Sequence, residues 1–362
     1  MELDSPQREH YASEHLRAHE AQRAAEAIAF GPVVFQVARL MVEWGIFSLL
    51  EEHEEGLTLD EVASGKGLSR YAAQILLESA LTAGMIHYRD GHYHLGKVGW
   101  FLQHGEMTRA NLDFNHYVNY LGLFHLDEAL QEGRPAGLKV FGEWDTIYEG
   151  LSQLPPRVQE SWFGFDHFYS DGAFQAALRI VFAEPVRRLL DVGGNTGRWA
   201  RQCVEYDPQV EVVVMDLPGQ LAMMRDAVAG SPHAERIQGH SANVLDEGVA
   251  FPTGFDAIWM SQFLDCFSSD QVVSILSRAR ASMSESTRLY IMETLWDRQR
   301  FETASFCLAQ TSVYFTTMAN GNSKMFYSGD LLACIAQAGL DVVATHDGLG
   351  YGHSVLVCKL GA

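Results

Sequence analysis

Four carboxylates and one glycine-rich run carry most of the chemistry in this 362-residue sequence. Leu189-Leu190-Asp191-Val192-Gly193-Gly194-Asn195-Thr196-Gly197 reads as an apolar strand that ends in Asp-x-Gly-Gly-x-x-Gly and passes into a helical pattern at Arg198-Trp199. Glycine has no Cβ, so such a loop turns sharply and lies close against a ligand. A second apolar run, Val212-Val213-Val214-Met215, ends in Asp216, one strand–helix–strand unit further on. An acid at the tip of that second strand is placed to accept both hydroxyls of a ribose. A dinucleotide would lay its pyrophosphate at the helix N-terminus, where the Asp191 charge repels it. A cationic, phosphate-free ligand suits the acid. S-adenosylmethionine, with a ribose, a sulfonium and an α-amino group, meets these requirements. A dinucleotide, or a glycine-rich turn with no ligand, are the alternatives.

The elements that position these residues follow from pattern. From Arg188 onward strands are expected near 188–192, 211–216, 255–260, 288–293, 341–345 and 353–358, with helices between them. That alternation predicts an α/β fold with a Rossmann-like, doubly wound parallel sheet. The last two strands flank Gly348-Leu349-Gly350-Tyr351-Gly352 and predict an antiparallel edge. Upstream, residues 7–30 read as an exposed helix. Apolar residues recur at helical spacing from Val33 to Leu50. Thr58-Leu59-Asp60-Glu61 is a capping box, and Ser69 caps a helix from Tyr71 to Ala83. Met85-Ile86-His87-Tyr88 and His92-Tyr93-His94-Leu95 form a hairpin around Asp90-Gly91. Helix, helix, helix, hairpin is a winged-helix pattern, so the N-terminal domain is winged-helix-like and all-helical apart from its hairpin. Residues 1–105 form this domain, 106–180 a helical linker, and 181–362 the sheet domain. Leu154-Pro155-Pro156 breaks the linker.

Charge narrows the partners. The chain has 46 acidic and 26 basic residues, a net charge of −20. Binding a phosphate backbone needs clustered Lys and Arg, so neither nucleic acid nor an anionic membrane is expected. The presumed recognition helix, Ser69 to Glu78, carries a single Arg and much apolar surface. Such helices are better suited to bury surface against a second copy of the chain, which predicts a homodimer. Cys203, Cys266, Cys307, Cys334 and Cys358 are dispersed, as expected for reduced thiols of a cytoplasmic protein. The N-terminus is polar, unlike a signal peptide, and no apolar run approaches the ~20 residues of a membrane span. His spacing supports no metal site.

With these motifs in place, the chain resembles the class I S-adenosylmethionine-dependent methyltransferases. More narrowly, it is similar to the small-molecule O-methyltransferases of plant phenolic and bacterial natural-product pathways, from about Phe30 to Cys358. Asp191 to Gly197 matches the cofactor loop, with Asn195 in place of a common Gly, and Met215-Asp216-Leu217-Pro218 matches the ribose-binding motif. The resemblance implies cofactor contacts at Asp191, Gly193, Gly194, Gly197, Asp216, Leu217, Asn243, Val244 and Ser261. Asn243 takes the place of an acid that usually faces the adenine, and its amide can still hydrogen-bond. S-adenosyl-L-homocysteine is the implied product. The family's general base is a His; here Phe263-Leu264-Asp265-Cys266 puts Asp265 at that position. Glu293 supplies the acid that usually orients the His, and Met325 stands where a second orienting Glu is expected.

An ordinary Asp is a poor base for a phenol. Two close carboxylates resist double ionisation, so one member of an Asp265–Glu293 pair is raised toward neutrality. Such a pair accepts a proton or holds an ammonium; the alternative is that Asp265 only caps the helix starting near Ser269. The expected acceptor is a small aromatic metabolite, methylated on O, N or C, in a pocket including His116, Phe165, Tyr169, Phe263 and Met325. A cofactor-binding relative that catalyses a non-methylating reaction, and a non-enzymatic winged-helix regulator, are the other readings.

Overall fold

In this computed structural model, which describes residues 11–361, the chain forms two compact units, Ser13–His116 and a larger one from Tyr117 onward. The smaller unit is built on helices Ala18–Ala29, Gly31–Glu43, Ile46–Glu51, Leu59–Lys66 and Arg70–Thr82. Thr58 closes the expected capping box with Glu61, and the Ser69 hydroxyl accepts the Ala72 N–H. Strands β1 (Ile86–Arg89) and β2 (His92–Leu95) pair antiparallel. Asp90 and Gly91 both have positive φ, as the tight hairpin turn requires. Met41, Ile46, Phe47, Leu50, Val62 and Leu77 form its core. Two expectations are corrected. The helix expected over residues 7–30 is interrupted within the described residues: Tyr11 is helical, Ser13 to Arg17 are not, with Glu14 accepting the Leu16 N–H, and the main helix is Ala18–Ala29. The apolar run from Val33 to Leu50 is two helices, since Gly45 at φ 68° breaks it.

In the larger unit, seven strands carry the site: β3 (Arg188–Val192), β4 (Glu211–Asp216), β5 (Ile237–Ser241), β6 (Ala257–Ser261), β7 (Arg288–Thr294), β8 (Leu340–Leu349) and β9 (His353–Leu360). Their order is β5-β4-β3-β6-β7-β9-β8. The pairings from β5 through β7 are parallel; β9 pairs antiparallel with both β7 and β8. Val, Ile, Leu and Met fill the central strands because both faces are covered. One face packs on helices Ser269–Ser282 and Ser328–Gln337 through Ile275, Leu276, Leu331 and Ile335. The other packs on Pro156–Val181, Arg198–Tyr206 and Pro218–Val228, where Trp199 stacks on Trp259 at 4.2 Å. The chain leaves β3 toward β4 on one side and reaches β6 on the other. That reversal opens a crevice at the carboxyl ends of the strands, where ligands of such sheets bind. β5 was not among the expected strands: Ile-Gln-Gly-His-Ser is a polar edge with only Ile237 buried. Among the described residues no single helix is long and apolar enough to cross a membrane.

Candidate functional site

The crevice begins at the end of β3. Asp191 is buried beside Val214 of β4 and Trp259 of β6. Its Oδ2 has no hydrogen-bond partner, and burial, with the nearby Asp216 charge, pushes its carboxyl up to about 8. Gly193 (φ 73°) and Gly197 (φ 74°) turn the loop. A Cβ on Gly194 would stand 2.4 Å from Asp191 Oδ2, and one on Gly193 would stand 2.2 Å from the Phe263 ring. Asn195 adopts φ 49°, a left-handed conformation that Asn tolerates better than most residues, which accounts for its standing in for glycine. Its backbone N–H donates to Asp216 Oδ2 at 2.8 Å, while the Leu217 N–H donates to Oδ1 at 2.7 Å. Asp216 is thereby fixed at the tip of β4 with a lone pair left on each oxygen. Burial raises its carboxyl too. An orphaned buried carboxylate oxygen, a backbone that excludes any Cβ and an oriented second acid fit a ligand with a cationic centre and vicinal hydroxyls.

The remaining cofactor-side residues follow β5 and β6. Asn243 is exposed, and its Oδ1 accepts the Leu245 N–H at 3.0 Å. Val244 is buried, and its carbonyl is held by Arg278. Ser261 ends β6, half-buried, opposite Met292.

The chain then bends through Gln262, at φ 44° and with its Oε1 buried and unpartnered. A non-glycine residue there stores strain of roughly 1–3 kcal/mol, as functional loops often do. The bend delivers Phe263 over Gly193 and starts a short 3-10 turn, Leu264–Cys266. Asp265 in that turn is 3% exposed, and Glu293 near the end of β7 is 1% exposed. Glu293 Oε1 accepts the Phe263 and Leu264 N–H groups at 3.2 and 2.9 Å, so it holds the turn, while Oε2 has no partner. Burial, reinforced by Asp265, raises the Glu293 carboxyl far above the ordinary range. Burial pushes Asp265 up to about 7, with the Asp166 charge adding to the shift and a 3.5 Å contact from the Cys266 thiol opposing it. Asp265 does not cap the next helix. Ser268 does, in a capping box with Gln271. Asn320 Nδ2 donates to the Cys266 carbonyl at 2.5 Å and fixes the turn from the other side.

Around this pair stand further groups, and the sequence held no sign of two of them, Tyr148 and Tyr314. The Tyr148 hydroxyl bonds the Cys266 thiol. The Trp162 indole donates to the Tyr314 hydroxyl at 2.7 Å. Asp166 lies one helical turn beyond Trp162. Helix periodicity places Asp166 with Trp162, but nothing in an isolated Trp-x-x-x-Asp distinguishes it from a packed aromatic helix. Phe165 and Tyr169, on the same helix, have rings 4.9 Å apart. Met325 is buried, and its sulfur accepts the Thr294 hydroxyl at 3.4 Å. A sulfur cannot supply the charge of an orienting acid, so Met325 packs against the end of β7 instead. His116 belongs to the smaller unit, where it lies 3.4 Å from Gln36 and beside Phe35.

Comparison with known proteins places the site in context. The O-methyltransferase domain matches residues 125–339, and a Dimerisation2-like domain matches residues 22–93. The chain is 26% identical over 306 residues to L-tyrosine C(3)-methyltransferase of Streptomyces lavendulae, covering 83% of this chain and 81% of the relative. It is 25% identical over 268 residues to 3-hydroxy-5-methyl-1-naphthoate 3-O-methyltransferase of Streptomyces sahachiroi, covering 72% and 74% of the two chains. The apo S-adenosylmethionine-dependent methyltransferase SibL superposes with a TM-score of 0.71 at 26% identity, over 94% of this chain and 99% of SibL. NcsB1, an O-methyltransferase from neocarzinostatin biosynthesis solved with S-adenosylmethionine and 2-hydroxy-5-methyl naphthoic acid, shares the fold at a TM-score of 0.67 and 19% identity, over 90% and 95%.

Proposed function

The chain belongs to the O-methyltransferase family and is an S-adenosylmethionine-dependent methyltransferase, and from that premise we propose that it methylates a small aromatic phenol whose proton is taken by Asp265. When bound, S-adenosylmethionine supplies an electrophilic methyl group on a sulfonium. Asp216 is oriented to accept the ribose hydroxyls, and Asp191 with the Gly193–Gly197 loop to hold the amino acid portion. Asn243, Val244 and Ser261 border the adenosine side.

The observation that carries the reading is the burial of Asp265 against Glu293, at the position where the family keeps a His. A phenol has a pKa near 10 and an ordinary Asp near 3.9, so proton transfer between them is uphill by ~8 kcal/mol. With Asp265 at about 7, the gap falls to about 4 kcal/mol. That is close to what an imidazole offers, so burial recovers most of what the missing His supplied. Glu293 keeps the turn in place through its bonds from the Phe263 and Leu264 N–H groups. Deprotonation makes both the phenol oxygen and the ring carbon ortho to it nucleophilic, and relatives of both outcomes are known: L-tyrosine C(3)-methyltransferase acts at carbon and the naphthoate enzyme at oxygen. Phe165, Tyr169 and Phe263 supply aromatic surface for a flat ring.

The same reading includes a homodimer formed through the smaller unit. The Dimerisation2-like match and exposed Phe30, Val33, Tyr71 and Phe101 support it. Single-turnover methyl transfer to a phenol, compared between the native enzyme and Asp265→Asn, tests the reading. Loss of the chemical step with S-adenosylmethionine affinity retained is expected.

A further inference from the structure

The carboxyl cluster asks for more than a proton. Glu293 Oε2 lies in a side chain 1% exposed and receives no hydrogen bond. Leaving such an oxygen without a donor costs a folded protein heavily. Asp265, 3% exposed, receives only the long contact from the Cys266 thiol among its side-chain partners. Asp166 joins them from helix Pro156–Val181, one turn past the Trp162 that bonds Tyr314. The charges that act on Asp265 and Glu293 are carboxylates: Asp166 on the first, Asp265 on the second. Tyr148 and Tyr314, the latter bonded by the Trp162 indole, stand near Asp265, and aromatic rings attract cations.

We propose that the aromatic acceptor carries a protonated amino group, which docks against Asp166, Asp265 and Glu293. This rests on the methyl-transfer reading and adds the charge class of the substrate. An ammonium brings three donors and a positive charge. One donor satisfies Glu293 Oε2, and the charge offsets the mutual repulsion of the acids. A cation held there favours the phenolate as well as the carboxylates, so both partners of the proton transfer shift in the same direction. A carboxylate-bearing phenol meets repulsion at the same place.

Three phenols of similar size, differing only in side-chain charge, test this on the full-length protein saturated with S-adenosylhomocysteine. They are tyramine, 4-ethylphenol and 3-(4-hydroxyphenyl)propionate. Tyramine is expected to bind about ten- to hundredfold tighter than 4-ethylphenol, with the propionate weakest. Calorimetry in buffers of different ionisation heat should show a proton released on binding tyramine, as a neutral carboxyl ionises against the ammonium, and none with 4-ethylphenol. Asp166→Asn should narrow the tyramine preference, and the proton count on the native protein keeps the test valid if that variant folds poorly. Equal binding of the three phenols, no detectable tyramine binding, or a tyramine preference with no proton release overturns the proposal. Tyramine preference without methylation of any probe would leave this inference standing and contradict the phenol-transfer reading. Equal methylation of tyramine and 4-ethylphenol would do the reverse.

Discussion

Asp191 and Asp265 are both acids made unlike ordinary acids by burial, and the consequences differ with what each faces. Asp191 has an orphaned oxygen against a glycine loop. Its folded pKa of about 8 lies above the unfolded value near 3.8. The folded protein therefore holds an extra proton between those limits and loses stability as the pH rises through them. His353 acts oppositely: buried, it is pushed down to about 4, so its contribution is lost as the pH falls below 6.5. Above pH 6.5 the Asp191 effect stands clear of it. Asp191→Asn should therefore raise the melting temperature of the ligand-free protein at pH 8 by roughly 5 °C or more, with a smaller gain at pH 5. The same variant should bind S-adenosylmethionine more weakly. Thermal melts across pH, with and without cofactor, read both effects; parallel curves for the two proteins would contradict the role given to Asp191.

At the scale of elements, the site is a set of strand ends held by turns. Gly193 shows how tightly. Gly193→Ala puts a methyl 2.2 Å from the Phe263 ring at φ 73°. The left-handed conformation alone costs an L-residue about 1–2 kcal/mol. Cofactor affinity should fall by about tenfold or more while the fold persists. Unchanged affinity by calorimetry would mean that the loop does not form the cradle. The strands from β3 to β9, apart from β5, were legible because β-branched and apolar runs of strand length alternate with helical patterns, and the Asp90-Gly91 hairpin because both positive φ angles need such residues. β5 was hidden by its polarity as an edge. The Asp265–Glu293 pair was legible only through family position, since nearly 30 residues separate the two. Asp166, Tyr148, Gln262 and Asn320 were not legible: each gains its meaning from a neighbour far along the chain. The capping alternative for Asp265 was locally reasonable and lost to Ser268, whose box with Gln271 is the better cap.

For the whole molecule, the smaller unit exposes Ile28, Phe30, Val33, Tyr71 and Phe101, each more than half accessible. So many large apolar side chains on one small unit mark an interaction surface. Sedimentation of the full chain should give a dimer, and Phe30→Glu with Val33→Glu should shift it toward monomer; a native monomer at micromolar concentration would contradict the assembly. The central claim, that burial gives Asp265 the work of a missing imidazole, is tested most directly by single-turnover methyl transfer to a phenol between pH 5 and 9. The native rate should rise with pH through an inflection near 7, as Asp265 becomes the carboxylate that accepts the proton. Asp265→Asn should lose that inflection and about 10²–10⁴-fold in rate, with S-adenosylmethionine affinity retained. An Asp265→Asn enzyme that keeps the native rate and profile would show that Asp265 does not take the proton.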